Sequence, residues 1–168
     1  VELSKSISFT KDITFTLDGN GCSIVPAANC TETNSVFNFG QGNQSTTATK
    51  NYTIKNIVFD GWTTDHVVRL QGVTATVEGC TFQNCNQTGG GALGLLTLTF
   101  CEATVKDCAF QNNTCKEAIN INSWGDDATT AALIDGRVFT NNTATSAGLI
   151  VRSYGSLTLK NSKFVGNT

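Results

Sequence analysis

The chain has 168 residues, 39% hydrophobic and only 14% charged, with a net charge of -2, one Pro, no Met and seven Cys. Without a basic run it lacks the electrostatic footprint of a nucleic-acid binder, and no apolar stretch reaches the roughly 18 residues of a membrane span. The length suits one domain, and the absence of Met marks the chain as processed or excerpted, any signal peptide already removed.

Residues 1–50 read as irregular opening coils and an exposed loop. "ISFTKDITFTLDGNGCSIV", residues 7–25, alternates Ile7, Phe9, then Ile13, Phe15 and Leu17 before a turn at "DGNG". "SVFNFG" is a further short strand, and "GQGNQSTTATKN", residues 40–51, is polar and loop-like.

Residues 51–168 repeat one phrase anchored on a phenylalanine: Phe59, Phe82, Phe110, Phe139 and Phe164. The gaps of about 23, 28, 29 and 25 residues are those of a stacked-repeat architecture. Five residues before each Phe stands Ile54, Val77, Val105, Ile134 or Leu159. Seven before stands Tyr52, Ala75, Ala103, Ala132 or Leu157. This alternation predicts a strand with one buried face. Three before the Phe stands Asn56, Gly79, Asp107, Gly136 or Asn161, and two after it stands Gly61, Asn84, Asn112, Asn141 or Gly166. Gly, Asn and Asp tolerate a left-handed backbone, so each position predicts a bend.

A second apolar run follows each Phe, in "HVVRL" at 66–70, "GGALGLLTL" at 90–98, "AINI" at 118–121 and "GLIV" at 148–151. Three short strands per unit, with no room for a helix between them, predict an all-β fold. The expected architecture is a right-handed parallel β-helix, a solenoid of about five to seven coils, forming a single domain over 1–168. Four residues before each Phe the charge alternates through Lys55, Glu78, Lys106, Asp135 and Lys160. A parallel stack would place these side chains roughly 4.8 Å apart, where opposite signs are favoured.

The odd number of cysteines leaves at least one unpaired. Cys80 and Cys108 share a register, Cys85 and Cys115 lie in successive bends, and Cys22 and Cys30 are close in sequence; these are candidate disulfides, with Cys101 the odd one and the connectivity open. There is no CxxC, and the single histidine, His66, cannot complete a Cys/His zinc set, so neither metal nor cofactor is expected. Sequons at Asn29, Asn43, Asn51, Asn86, Asn112 and Asn141 join the cysteines in pointing to a secreted or cell-surface glycoprotein.

"ITFTLDGNGCSIV" resembles an opening coil of the pectin-lyase-like right-handed parallel β-helix superfamily. Residues 87–113, "QTGGGALGLLTLTFCEATVKDCAFQNN", resemble the GGAI and FxxN motifs of polymorphic outer-membrane-protein repeats. The resemblance implies the solenoid; it does not fix an activity, because that fold hosts lyases, hydrolases, adhesins and fibres. Polygalacturonases of the superfamily use clustered aspartates with a histidine and a basic residue. Here Asp126 and Asp127 in "WGDD", with His66 in "TDHVVRL", are the candidates, against the plainer reading of a solvated loop. Lyase-type calcium chemistry would draw on Asp60, Asp65 and Arg69, against the plainer reading of surface charge; Trp62 and Trp124 have the shape to stack on sugars, though such residues more often cover a core edge or anchor an interface. No GxSxG elbow, P-loop or GxGxxG occurs, and no TxT column repeats in register.

The expectation is therefore an extracellular structural or adhesive β-helix glycoprotein, more a scaffold than an enzyme, assembling end to end into a surface filament. The first alternative is a carbohydrate-active enzyme acting on acidic polysaccharide; the second is a receptor-binding adhesin module. The partners expected are further copies of the chain and surface or matrix polysaccharide, with neither nucleic acid nor a membrane span.

Overall fold

The computed structural model describes residues 1–9, 13–40, 50–89, 94–122, 131–146, 148–152 and 155–168. Among these, all regular structure is β-strand. The early strands are β1 (Glu2–Leu3), β2 (Ile7–Phe9), β3 (Phe15–Pro26), β4 (Ser35–Gly40), β5 (Asn51–Asp60) and β6 (His66–Gln71). Next come β7 (Thr74–Glu78), β8 (Thr81–Gln83), β9 (Gly94–Thr99), β10 (Glu102–Lys106), β11 (Ala109–Gln111), β12 (Thr114–Cys115) and β13 (Glu117–Asn122). The last are β14 (Ala131–Asp135), β15 (Val138–Thr140), β16 (Thr143–Ala144), β17 (Ile150–Arg152), β18 (Ser156–Lys160) and β19 (Lys163–Val165).

Each of the first four repeats contributes to all three parallel ladders, and the fifth, with β18 and β19, to two. An 11-stranded sheet carries two of them, in the order β18-β14-β10-β7-β5-β8-β11-β15-β19, because the long β5 serves both. Strand β3 extends this sheet through β5, and β1 pairs with β3. The third ladder is a 6-stranded sheet in the order β17-β13-β9-β6-β4-β2, and β12 with β16 forms a small fourth.

The register follows the sequence repeat. Phe59 pairs with Phe82, Phe82 with Phe110, Phe110 with Phe139 and Phe139 with Phe164. Their rings stack at 5.0, 4.7, 5.2 and 4.6 Å between centroids. The charged positions align as Asp18, Lys55, Glu78, Lys106, Asp135 and Lys160, with Lys55 Nζ 3.2 Å from Asp18 Oδ2 and Lys106 Nζ 3.4 Å from Glu78 Oε1. These exposed pairs select register more than they stabilise.

Both predicted bends are present in all five repeats. Asn56, Gly79, Asp107, Gly136 and Asn161 have φ of 55, 61, 49, 67 and 46°. Gly61, Asn84, Asn112, Asn141 and Gly166 have φ of 73, 53, 56, 53 and 62°. The left-handed turn lets the strands on either side of it lie in two ladders while the Phe and the aliphatic residues still point inward.

The core is built from the same columns. Ile54, Val77, Val105 and Ile134 are fully buried, as are Val68, Leu96 and Ile119 of the third ladder. At β18 and β19 the columns come to the surface, where Leu159 is 44% and Phe164 47% exposed.

A buried asparagine column lines the second bend. Asn113 Nδ2 donates to Phe82 O at 2.9 Å and to Asn142 Oδ1 at 2.9 Å. Asn142 Nδ2 repeats this with Phe110 O and Asn167 Oδ1, both at 2.9 Å. The backbone N–H groups of Cys85, Asn113 and Asn142 donate to the carboxamide oxygen of the next asparagine in the column, at 2.9, 3.1 and 2.9 Å. Each carboxamide thereby satisfies buried backbone groups that the bend leaves without ladder partners.

Two local expectations are corrected. "DGNG" does not end a strand: β3 runs through it, with Asn20 and Gly21 at φ 47 and 80° and a register shift between Asp18 and Cys22. Trp62 does not face solvent; it is 1% exposed and its indole Nε1 donates to Ile24 O at 3.0 Å. An edge-covering role replaces the sugar-stacking one.

Candidate functional site

A second group of buried polar residues, besides the asparagine column, lies on and beside the third ladder. In β6, Val67 and Val68 are both buried, which breaks strict alternation and sets His66 and Arg69 on the same side, away from the aliphatic core. Thr97 pairs with Arg69 and Asn120 pairs with Thr97, so these residues form one column. His66, Thr97, Glu117 and Asn120 are 3, 3, 2 and 0% exposed.

His66 Nδ1 lies 2.8 Å from Thr97 Oγ1. That hydroxyl donates to Gly94 O and accepts from Gly94 N, both at 3.0 Å. The hydroxyl has one proton for two acceptors in reach, Gly94 O and His66 Nδ1, so the contact ties the imidazole to β9 in either tautomer. Burial lowers the His66 pKa from 6.5 to about 4; Arg69 adds to the shift, and the Gly94 backbone and Asp65 oppose it. The imidazole is therefore neutral at neutral pH.

Glu117 Oε2 accepts from Asn120 Nδ2 at 2.5 Å. Burial raises the Glu117 pKa, while the Asn120 hydrogen bond and Lys116 act against the shift. Gln87 ties the two halves together: its Nε2 donates to Asp65 O at 2.9 Å and its Oε1 accepts from Lys116 N at 2.8 Å. Gly94 sits where a Cβ would come within 2.6 Å of Asn120 N, so only glycine allows this close approach.

The cluster is closed on itself. Its hydroxyl and imidazole are consumed by one another, and it has the form of a polar pin that fixes β6, β9 and β13. Asn120 Oδ1 is its one buried side-chain atom without a partner among the described residues.

The remaining candidates do not converge on it. Asp60 lies in the other sheet, its carboxylate held by Gln83 Nε2 at 2.9 Å and Asn84 Nδ2 at 2.7 Å. Asp126, Asp127 and Trp124 lie outside the described residues, as does Asn43. Among the described residues no three His, Cys, Asp or Glu side chains gather to hold a metal. The other sequon asparagines, Asn29, Asn51, Asn86, Asn112 and Asn141, are exposed.

All seven cysteines are free thiols here. Cys80 N donates to Cys108 Sγ at 3.4 Å, which agrees with their shared register. Cys85 faces Asn113, whereas Cys115 pairs with Ala144, so the chain sets Cys85 and Cys115 two residues out of step. Cys22 is exposed on β3 opposite Ile57, and Cys30 N donates to Ala27 O at 2.8 Å. Cys101 Sγ lies 3.3 Å from both Leu70 O and Thr99 O, and burial pushes its pKa up to about 12.

The sequence reading passed over one surface feature. Thr16, Thr53, Thr76, Thr104, Leu133 and Thr158 form an in-register column beside the charged one. It borders a shallow groove of about 330 Å³. The signal was present six residues before each Phe.

The His66 arrangement sets the acid response. His66 stabilises the fold fully above its ordinary pKa, and that contribution is lost as pH falls from 6.5 through about 4. A shift of this size corresponds to about 3 kcal/mol. Glu117 acts in the opposite sense, its contribution falling as pH rises above the ordinary carboxyl range. Urea midpoints at pH 7, 5.5 and 4.5 should fall steeply for the wild type and much less for His66→Gln. Equal slopes in the two proteins would show that His66 is not the group responsible.

No protein-family model matches the chain, and the comparison with curated proteins likewise returns no match.

Proposed function

We propose that the chain is a right-handed parallel β-helix serving as an extracellular structural or adhesive glycoprotein, which assembles head to tail into filaments. The observation that carries this reading is that the stacked columns reach both end faces of the repeat array as exposed apolar side chains. At one end Leu149, Ile150, Leu157, Leu159 and Phe164 line an open cavity of about 420 Å³. At the other, Phe9 of the outermost strand β2 is 41% exposed. Two different apolar faces favour a heterologous, head-to-tail contact, which builds a filament where the rotation between copies does not close.

Right-handedness follows from the near-universal hand of parallel crossovers. The threonine column offers hydroxyls at a regular spacing of roughly 4.8 Å, which suits the adhesive part of the reading and a polysaccharide partner. The exposed sequons favour a secreted or cell-surface location, with glycans projecting from the bends. A lyase or hydrolase would need a convergent, accessible acid pair, and His66, Asp65 and Asp60 do not supply one. Among the described residues no helix is long and apolar enough to cross a membrane.

Electron microscopy and sedimentation at neutral pH test the assembly. The wild type should form fibres with a repeat near one subunit length, and Phe164→Asp should leave monomers with an unchanged circular dichroism spectrum. A wild type that stays monomeric at high concentration would sink the filament reading.

A further inference from the structure

Arg137 holds an unusual position. It is 1% exposed, yet among the described residues none of its three guanidinium nitrogens has a hydrogen-bond partner. A guanidinium does not give up its charge, and burying it unpaired is strongly unfavourable. The ladder shows what lies beside it. Thr81 pairs with Ala109 and Ala109 with Val138, so Cys80, Cys108 and Arg137, each one residue earlier, occupy successive levels of one buried column. Cys80 and Cys108 are 0 and 2% exposed, and Cys80 N points at Cys108 Sγ.

We propose that Cys80 and Cys108 form a redox-labile pair, with Arg137 as the counter-ion that favours its reduced, thiol–thiolate form. The ionising thiol of the pair is Cys108, whose Sγ also lies 3.6 Å from Val77 O and 3.5 Å from Lys106 O. Burial pushes that thiol up, but the hydrogen bond from Cys80 and the charge of Arg137 outweigh it and lower its pKa. Cys80 moves the other way, raised first by its hydrogen bond to Cys108 and then by burial. Two carboxylates also act on Arg137: Asp107 ranks after Cys108 and ahead of Cys80, and Asp135 ranks after both sulfurs.

Adjacent levels of a parallel ladder bring Cα atoms to a separation that a disulfide can span. The oxidant is a small disulfide, RSSR. The Cys108 thiolate attacks one of its sulfurs and expels RS⁻. Cys80 then loses its proton and attacks the Cys108 sulfur of the mixed disulfide, expelling the second RS⁻. The products are the Cys80–Cys108 disulfide, RSH and RS⁻, so protons, electrons and charge balance. The cross-link removes the negative charge and leaves Arg137 unpaired. Stabilising the reduced thiolate in this way makes a disulfide more oxidising and easier to reduce than a structural staple. Both sulfurs are buried, so exchange proceeds through local opening, but the equilibrium does not depend on that path.

Two measurements test this. Thiolate absorbance at 240 nm in the folded, reduced protein at pH 7 should be present in the wild type and in Cys80→Ser, and absent in Cys108→Ser. Equilibration with reduced and oxidised glutathione, followed by alkylation and mass spectrometry, should show Arg137→Met shifted about tenfold or more towards the Cys80–Cys108 disulfide. Arg137→Lys, which keeps the charge, should stay near the wild type. A wild type without a Cys108-dependent thiolate at pH 7 overturns the proposal whether or not Arg137→Met folds. So does an exchange equilibrium that Arg137→Met leaves unchanged.

Discussion

Phe110→Ala should lower the unfolding free energy by about 4 kcal/mol, the cost of truncating a large buried ring where the neighbours cannot collapse. Phe110 is fully buried, and its ring stacks on Phe82 at 4.7 Å and on Phe139 at 5.2 Å, nearly parallel to both. Those two rings are held by their own ladders and cannot move together to fill the gap. Phe110→Leu should cost about 1 to 2 kcal/mol, because it keeps most of the volume. Phe164→Ala should cost clearly less than Phe110→Ala, since Phe164 is 47% exposed and stacks on one side only. Urea denaturation of the three variants checks the order. Equal losses at positions 110 and 164 would mean that the stack does not set the cost.

Asn142→Ala should have a comparable effect, again about 4 kcal/mol, for a different reason. The side chain donates to Phe110 O and accepts from Asn113 N, both buried groups at a bend where no strand neighbour replaces it. Leaving a buried donor and a buried acceptor unsatisfied costs roughly 1–3 kcal/mol each. Asn142→Asp separates this from simple loss of volume. The carboxylate still accepts from Asn113 N but repels Phe110 O and Asn167 Oδ1. Its protonated form can donate again. The Asp variant should thus be strongly destabilised at pH 7 and regain part of the loss near pH 4, measured relative to the wild type at each pH. An Asp variant as stable as the wild type at pH 7 would remove the asparagine column from the account of stability.

The two asparagine roles differ in how far they could be read. Asn84, Asn112 and Asn141 were legible as bends because the left-handed conformation is a property of the residue itself. Asn113 and Asn142, one position later, look the same in sequence, and only burial and the partners above and below show that they satisfy backbone groups. Cys80 over Cys108 was legible from the 28-residue offset between Phe82 and Phe110. The same offset sets Cys85 level with Asn113, two residues before Cys115.

His66 was legible only as a lone histidine, and Arg137 was not singled out at all. Nothing within a few residues of either says what it meets. His66 finds Thr97 across 31 residues, and Trp62 finds Ile24 across 38.

What the sequence determined by itself is the repeat: the inward alternation, the two bends, the phenylalanine column and the alternating charges. Each depends on a residue's own backbone preference or on like meeting like at a nearly constant offset, so a small register error would have broken every column at once. What only the tertiary structure decided are the contacts between unlike residues: the polar pin around His66 and Glu117, the burial of Trp62, and the guanidinium beside two sulfurs. Those depend on unequal repeat lengths and on a break in alternation at Val67 and Val68, which set what stands on the neighbouring level, and local propensity carries no information about that.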